Sequence, residues 1–325
     1  MRHRRLGGSG LALSEISLGS YQTFGTTLDL EQSRRCIHRA LELGINAFDT
    51  ADGYGDGEGE RILGRVLRDF DRGDWIIATK CFFPRSGVPT NRGLSRKHVI
   101  ESVDRSLRNL GIDHIDLMQC HRFDAETPLE ETIDAMNLLI QRGKVLYWGI
   151  GRFDAAQIGA AVRTAGEVGA RRPVSHQTVY SLLNRSVEGE ILDAADRHGL
   201  GTLVYGALCQ GVLTGKYAVG AIPEDSRAAR PSQRDGMYDL TADGVRRAGR
   251  LGALAAQAGL TPAQLSIAWC LRQRAVTSVI IGASRPEQLE DNVGASGVLL
   301  SADLLAAIEA ALAAPVDETV ADPRS

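Results

Sequence analysis

Asp49, Tyr54, Lys80 and His121 are the residues of this 325-residue chain whose types and spacing could do chemistry together. Asp49 follows the apolar run Ile45–Phe48, and Tyr54 lies in the loop beyond it. Lys80 follows Trp75–Ala78, and His121 ends the run that starts at Ile115. The chemistry they suit is reduction of a carbonyl. Adding hydride to C=O builds negative charge on oxygen, and that oxygen needs a proton. A tyrosine supplies it if its pKa, ordinarily about 10, is drawn toward neutrality. A lysine ammonium beside it would do so by favouring phenolate, and Asp49 would keep Lys80 charged and oriented. A histidine at the carbonyl oxygen polarises it or shares its proton. Singly, Asp49 and Lys80 read as a structural ion pair, His121 as a hydrogen-bonded loop residue and Tyr54 as a rim aromatic. Their joint occurrence at three successive strand ends points to a site.

Those strand ends belong to a regular alternation. Ile16–Leu18, Ile45–Phe48, Trp75–Ala78, Ile115–Met118, Val145–Ile150, Thr178–Tyr180, Thr202–Tyr205 and Ser278–Ile281 have strand length and apolar character. Helical segments lie between most of them. Asp29 caps a helix running toward Gly44. Ser95 starts another, with Val99, Val103, Leu107 and Leu110 on one face and Gly111 at its left-handed end. Thr127-Pro128-Leu129-Glu130 and Thr261-Pro262-Ala263-Gln264 both read as capping boxes with proline at the first helical position, and Gly143 closes the former helix.

Eight strands, most followed by a helix, require parallel pairing with right-handed crossovers. A doubly wound open sheet carries a G-x-G-x-x-G turn after its first strand, and none follows Leu18. Gly55-Asp-Gly57-Glu-Gly59 follows the second strand and reads as a loop entering a helix. The expected fold is an α/β, (β/α)8 TIM barrel forming a single domain over 1–325. It has an N-terminal hairpin near Arg5–Glu15 on the barrel floor, a long loop at 206–241 after the seventh strand, a C-terminal helix, and a loose tail at 315–325. Active sites of such barrels form at the strands' C-terminal ends, where the four residues fall.

The composition excludes several functions. With 37 Lys+Arg against 40 Asp+Glu the net charge is -3, which argues against nucleic acid as a partner. No apolar run reaches the ~20 residues that span a bilayer, so membrane insertion is not expected. Arg2-His3-Arg4-Arg5 leads into Leu6-Gly-Gly-Ser-Gly and not into an apolar segment, so no signal peptide is expected. Five widely spaced cysteines with no C-x-x-C pair read as reduced thiols, and the expected location is cytoplasmic. The seven histidines show no ligand-like spacing, so no metal is expected.

Across nearly its whole length the chain resembles the aldo-keto reductases. The segments that carry the resemblance are Phe48-Asp-Thr-Ala-Asp-Gly-Tyr-Gly, Ala78-Thr-Lys, Gly93-Leu-Ser-Arg-Lys-His, Ser106-Leu-Arg-Asn-Leu-Gly-Ile-Asp-His-Ile-Asp-Leu and His121-Arg-Phe-Asp. Further on come Gly143-Lys-Val, Gly211-Val-Leu-Thr-Gly-Lys-Tyr and Ile281-Gly-Ala-Ser-Arg-Pro-Glu-Gln-Leu-Glu-Asp-Asn. They are most similar to the branch that includes potassium-channel beta subunits and related bacterial reductases. The resemblance implies a barrel that uses NADPH without a Rossmann fold, with Asp49, Tyr54, Lys80 and His121 as catalytic tetrad and Tyr54 as proton donor. It implies that Ser20, Tyr21 and Asp49 line the nicotinamide region, that Arg152 and Gln177 contact the ring and its carboxamide, and that Tyr205 stacks on it. Gly206, Ala207, Leu208, Gln210 and Gly211, with Lys216 and Arg227, fall on the loop over the pyrophosphate and adenine. Ser284, Gln288, Asp291 and Asn292 match the adenosine-phosphate end.

Ser284 opens a helix, where free N–H groups favour a phosphate, and Lys216, Arg227 and Arg285 add positive charge that would suit a 2′-phosphate. The alternative is that Ser284-Arg-Pro-Glu287 is only a capping box. Two departures stand out. Gly151-Arg152 stands where many relatives carry Ser before Asn or Arg, removing one hydroxyl from the carboxamide region, and Asp291 replaces the more usual Glu. His121 is retained where channel beta subunits carry Asn, which favours an active reductase.

The expected function is therefore NADPH-dependent reduction of a small-molecule aldehyde or ketone to an alcohol. The alternatives are an NADPH-binding sensor or regulatory subunit with slow turnover, and a keto-sugar reductase of secondary metabolism. Tyr21, Phe24, Phe82, Phe83, Phe123, Met237 and Tyr238 are candidates to line the substrate pocket. Arg85, Arg122 and Arg152 are candidates to anchor an anionic group. No feature specifies an oligomeric state, so oligomerisation stays open.

Overall fold

The computed structural model describes residues 1–84, 86–218, 221–224, 226–234, 236–237 and 239–315. Arg85, Tyr238 and the tail from 316 onward lie outside the described residues. The chain starts with β1 (His3–Arg5), β2 (Ala12–Ser14), β3 (Ile16–Gly19), α1 (Leu30–Glu42), β4 (Ala47–Asp49) and α2 (Glu58–Leu67). Next come β5 (Ile76–Cys81), α3 (Arg96–Leu110), β6 (Ile115–Cys120), α4 (Leu129–Gln141), β7 (Val145–Gly151), α5 (Ala155–Glu167) and β8 (Ser175–Val179). The remaining elements are α6 (Glu190–Arg197), β9 (Gly201–Tyr205), α7 (Pro231–Arg234), α8 (Ala242–Gln257), α9 (Pro262–Leu271), β10 (Val276–Ile281), α10 (Pro286–Val293) and α11 (Ala302–Ala313).

β3 to β10 close a parallel barrel in the order β10-β3-β4-β5-β6-β7-β8-β9, which is the (β/α)8 TIM barrel expected from the alternation. Each predicted strand is present. β8 starts three residues early, at Ser175–Val179 where the apolar run suggested Thr178–Tyr180, and β5 runs three residues further than expected, to Cys81. β1 and β2 form the expected antiparallel hairpin, pairing Arg4 with Leu13. Leu6 and Leu13 join Ala47, Ala78, Leu117, Leu203 and Ile280 in one buried cluster, so the hairpin supplies part of the core that fills the barrel.

Register then fixes the side chains on the next level. Residues two apart on a strand share a face. Asp49 is two beyond Ala47, Lys80 two beyond Ala78, Gln119 two beyond Leu117, and Tyr205 two beyond Leu203. Lys80 is the register partner of Gln119, and Gly151 that of Gln177. A polar level thus stands on an apolar one.

The helix starts follow local chemistry. Asp29 and Gln32 form a capping box at α1, Ser95 caps α3, and Thr261 with Gln264 caps α9. α4 departs from expectation. Its N-cap is Pro128, without a side-chain cap, and the Thr127 hydroxyl donates instead to Asp124 Oδ2 at 2.8 Å. That donation leaves the hydroxyl's lone pairs free, and what withdraws Thr127 from capping is its place one residue before the N-cap. Asp124 also accepts from the Leu94 and Glu126 N–H groups. These bonds and Arg92 outweigh its partial burial and hold its carboxyl below the ordinary range.

By compactness the chain divides into two units. The first holds Met1–Thr178, Val187–Tyr205 and Arg274–Leu289. The second holds Val179–Ser186, Gly206–Gln273 and the described residues from Glu290 on. In the second, Trp269 is buried with the Arg272 guanidinium 3.6 Å and that of Arg185 5.2 Å from its ring. No helix among the described residues is long and apolar enough to cross a membrane.

Candidate active site

β4 and β5 bring Asp49 and Lys80 together at their C-terminal ends. Lys80 Nζ donates to Asp49 Oδ1 at 2.5 Å and to the Thr50 carbonyl at 2.7 Å. Both side chains are buried, at 2% and 8% exposure for Lys80 and Asp49. An ion pair this far from water persists only if its remaining valences are met. Gln177 on β8 meets one, donating from Nε2 to Asp49 Oδ2 at 2.8 Å. The Thr50 carbonyl meets another and has no signature in the sequence, because a main-chain oxygen is common to every residue type.

Tyr54 starts a 3-10 turn, Tyr54–Gly57, that leads into α2. Its ring packs at 4.9 Å from Tyr21 and 5.9 Å from the His121 ring, and Lys80 Nζ lies 5.1 Å from its centre. The structure thus gathers all four residues of the expected tetrad in the first unit.

The electrostatics differ from the expected pattern. Burial pushes the Tyr54 phenol well above its usual range, and Asp49, Tyr21 and Tyr205 push the same way, with Arg152 opposing. The Lys80 ammonium is shared with Asp49 and Thr50, so its pull on the phenol does not outweigh that burial. His121 moves the other way. Burial lowers its pKa to about 2, and Lys80, Arg152 and Arg122 contribute in the same direction. The imidazole is therefore neutral and the phenol protonated across the physiological range. In these states both rings carry a hydrogen-bond donor.

Around this centre, Ser20 donates to the Thr50 hydroxyl at 2.8 Å. Arg152 Nε donates to the Tyr205 hydroxyl at 2.6 Å, and its guanidinium carbon lies 5.5 Å from that ring. Arg152 has φ +55°, left-handed for a non-glycine residue, and its N–H donates to the Gln177 carbonyl at 2.9 Å. Among the pocket candidates, Phe83 packs edge-on to His121 at 4.8 Å and to Phe82 at 5.6 Å, and Phe123 packs on Phe153. Phe24 and Met237 are buried, each at 1% exposure, and so contribute packing, not pocket surface. Cys81 and Cys120 sit beside Lys80 and His121 in sequence. Both are buried, and burial pushes the Cys120 thiol up to about 12, so these thiols are inert.

Ser284 does not end in a Ser–Glu capping box. Its N–H donates to Gln288 Oε1 at 2.7 Å, with Ser284 Oγ 3.3 Å from the same oxygen. The four-residue spacing to Gln288 fits that reach, whereas Glu287 stays outside it. In the second unit, Asp291 accepts from Thr261 and Gln264, and Asn292 is buried. Gly206, Ala207 and Leu208 lead into the 3-10 turn Cys209–Thr214. Within it Cys209, Gln210 and Gly211 all take positive φ, of 45°, 56° and 104°. A Cβ on Gly211 would lie 2.8 Å from Lys216 Nζ, so only glycine lets the ammonium settle over this backbone. A left-handed run facing an ammonium has the chemistry of a phosphate cradle. Arg227 starts a separate short turn, Arg227–Ala229.

Comparison with known proteins agrees with the geometry. Residues 15–313 match the model of the Aldo/keto reductase family. A protein of Oryza sativa subsp. japonica named "Probable voltage-gated potassium channel subunit beta" is 39% identical over 316 residues, spanning 95% of this chain and 96% of its own. A protein of the same name from Arabidopsis thaliana is 40% identical over 303 residues, covering 92% of each. The "L-glyceraldehyde 3-phosphate reductase" of Escherichia coli O157:H7 is 39% identical over 319 residues, covering 95% of this chain and 92% of its own. The chain accordingly belongs to the aldo/keto reductase family of oxidoreductases.

Proposed function

We propose that this protein reduces an aldehyde or ketone to an alcohol with NADPH, taking the proton from Tyr54. The observation that carries the reading is the pairing of a protonated phenol with a neutral imidazole beside a buried Lys80–Asp49 ion pair. NADPH, when bound, supplies the hydride. His121 would donate a hydrogen bond to the carbonyl oxygen, and Tyr54 would pass its proton to the resulting alkoxide. Lys80, fixed by Asp49 and Thr50, would stabilise the phenolate left behind.

The residues present suit the cofactor. Ser20, Tyr21, Asp49, Gln177, Arg152 and Tyr205 would hold the nicotinamide, with amide, guanidinium and aromatic groups matched to a flat polar ring. Ser284 and Gln288, and in the second unit Asp291 and Asn292, would serve the adenosine end. Gly206–Gly211, Lys216 and Arg227 would serve the phosphates, on the support of the cradle under Lys216. A single domain with 206–241 as cofactor-binding loop, and a cytoplasmic location, belong to the same proposal. The second is supported by five buried free cysteines.

The names of the plant relatives support a second reading, an auxiliary subunit that holds NADPH and turns over slowly. Single-turnover oxidation of bound NADPH, followed by fluorescence across aldehydes, ketones and keto-sugars, separates the two. Rapid oxidation by some members, abolished in Tyr54→Phe with NADPH still bound, is the expected result. Tight binding with negligible oxidation throughout would favour the subunit. Unchanged turnover in Tyr54→Phe would remove the phenol from the mechanism.

A further inference from the structure

Arg122 follows His121 and is exposed. Its guanidinium carbon lies 5.0 Å from the centre of the Phe83 ring, and that ring packs edge-on to the His121 imidazole at 4.8 Å. A cation resting on an aromatic face keeps its plane oriented. The head group is therefore held one ring away from the imidazole.

Several nearby arginines are paired with acids: Arg72 with Asp116, Arg105 with Asp52, Arg61 with Glu58 and Arg92 with Glu126. Arg122 has no carboxylate within ion-pair distance among the described residues, and neither has Arg152, whose side chain donates to the Tyr205 hydroxyl. The local acids are already committed. Asp49 is neutralised by Lys80, and Asp124 is engaged by two backbone N–H groups and the Thr127 hydroxyl. Two guanidinium groups beside His121 thus stand uncompensated in a chain whose net charge is -3. A planar guanidinium with free N–H donors pairs best with a carboxylate or phosphate, two oxygens at a time.

We propose that the site selects carbonyl substrates carrying a carboxylate or phosphate, and that Arg122 binds that anion while His121 and Tyr54 engage the carbonyl. Arg152 lies on Tyr205 and adds to the field without being the primary contact. The proposal rests on the reductase reading above and narrows it to anionic substrates.

The test compares matched pairs that differ in charge: 4-carboxybenzaldehyde against methyl 4-formylbenzoate, and glyceraldehyde 3-phosphate against glyceraldehyde. The ratio of kcat/KM, charged over neutral, is measured for the wild type, Arg122→Gln and Arg122→Lys. The wild type is expected to prefer the charged member of at least one pair by about tenfold or more, the scale of one charge-assisted hydrogen bond. Arg122→Gln should remove most of that preference, chiefly through KM, and Arg122→Lys should restore part of it. Added salt should shrink the wild-type ratio and leave that of Arg122→Gln nearly flat. The pair that responds tells carboxylate from phosphate. Reduction of neutral members with no charge preference, or an equal fall for both members in Arg122→Gln, overturns the proposal and leaves the reductase reading standing. Reduction of no carbonyl compound by the wild type overturns both.

Discussion

A Cβ on Gly151 would stand 2.9 Å from the carbonyl oxygen of His121 and 3.2 Å from that of Cys120. The ends of β6 and β7 thus approach more closely than any residue with a side chain allows, and this contact sets where the imidazole begins. A serine here would not simply add a hydroxyl. In Gly151→Ser the His121 backbone must move, at a cost of about 1–3 kcal/mol. The expected result is a fall in the rate of carbonyl reduction, read by single-turnover kinetics, with a matching loss in urea unfolding. Tighter NADPH binding at an unchanged rate would show that the strand ends yield freely.

Asp49 and Lys80 form a pair whose halves depend on each other. Asp49→Asn leaves a buried ammonium without its carboxylate, still bonded to the Thr50 carbonyl, and should cost about 3–5 kcal/mol in urea unfolding. Asp49→Asn combined with Lys80→Met removes the stranded charge. The double variant should therefore be more stable than Asp49→Asn alone. Additive losses would mean that the two side chains are not energetically coupled.

His176 on β8 makes stability depend on pH. It is fully buried, and desolvation lowers its pKa to about 4 against a partial offset from the Phe153 backbone. In the unfolded chain the imidazole takes a proton below about 6.5, and the folded one resists until about 4. The unfolded state then binds more protons, so stability falls as pH drops through this window. From pH 7 to about 4.5 the wild type should lose about 2 kcal/mol more than His176→Gln. Equal losses in parallel urea titrations would exclude this linkage.

Gln119, the register partner of Lys80, is buried, and neither Oε1 nor Nε2 has a hydrogen-bond partner among the described residues. A buried amide without partners opposes folding, so Gln119→Met should raise stability by about 1–2 kcal/mol. Thermal unfolding checks it. A lower Tm would show that the amide is satisfied in solution.

The eight strands were legible because parallel strands covered on both faces read as continuous apolar runs. β8 was misplaced by three residues at its start because His176 and Gln177, turned to the barrel's polar level and its packing, break the apolar run. That Asp49, Tyr54, Lys80 and His121 come together was legible from residue type and strand end. Its electrostatics were not: pairwise reasoning set Lys80 against Tyr54, whereas desolvation dominates. Thr127 was misread because the helix starts one residue later than the Thr-Pro pattern suggests, with Pro128 at the N-cap and the Thr127 hydroxyl turned to Asp124. The contact of Gly151 with His121 depends on how two strands approach, which residue spacing does not encode.

The apolar level of Ala47, Ala78, Leu117, Leu203 and Ile280, sealed by Leu6 and Leu13, lies about 6–7 Å beneath Asp49, Lys80, Gln119 and Tyr205. Those apolar residues need touch no substrate, yet they are part of the low-polarity ground beneath the site. On the proposed mechanism, proton handling is in this way a property of the scaffold's interior, and choice of substrate a property of side chains at its rim such as Arg122. The two can diverge independently: a lineage can retarget the rim and inherit its acid ready-made.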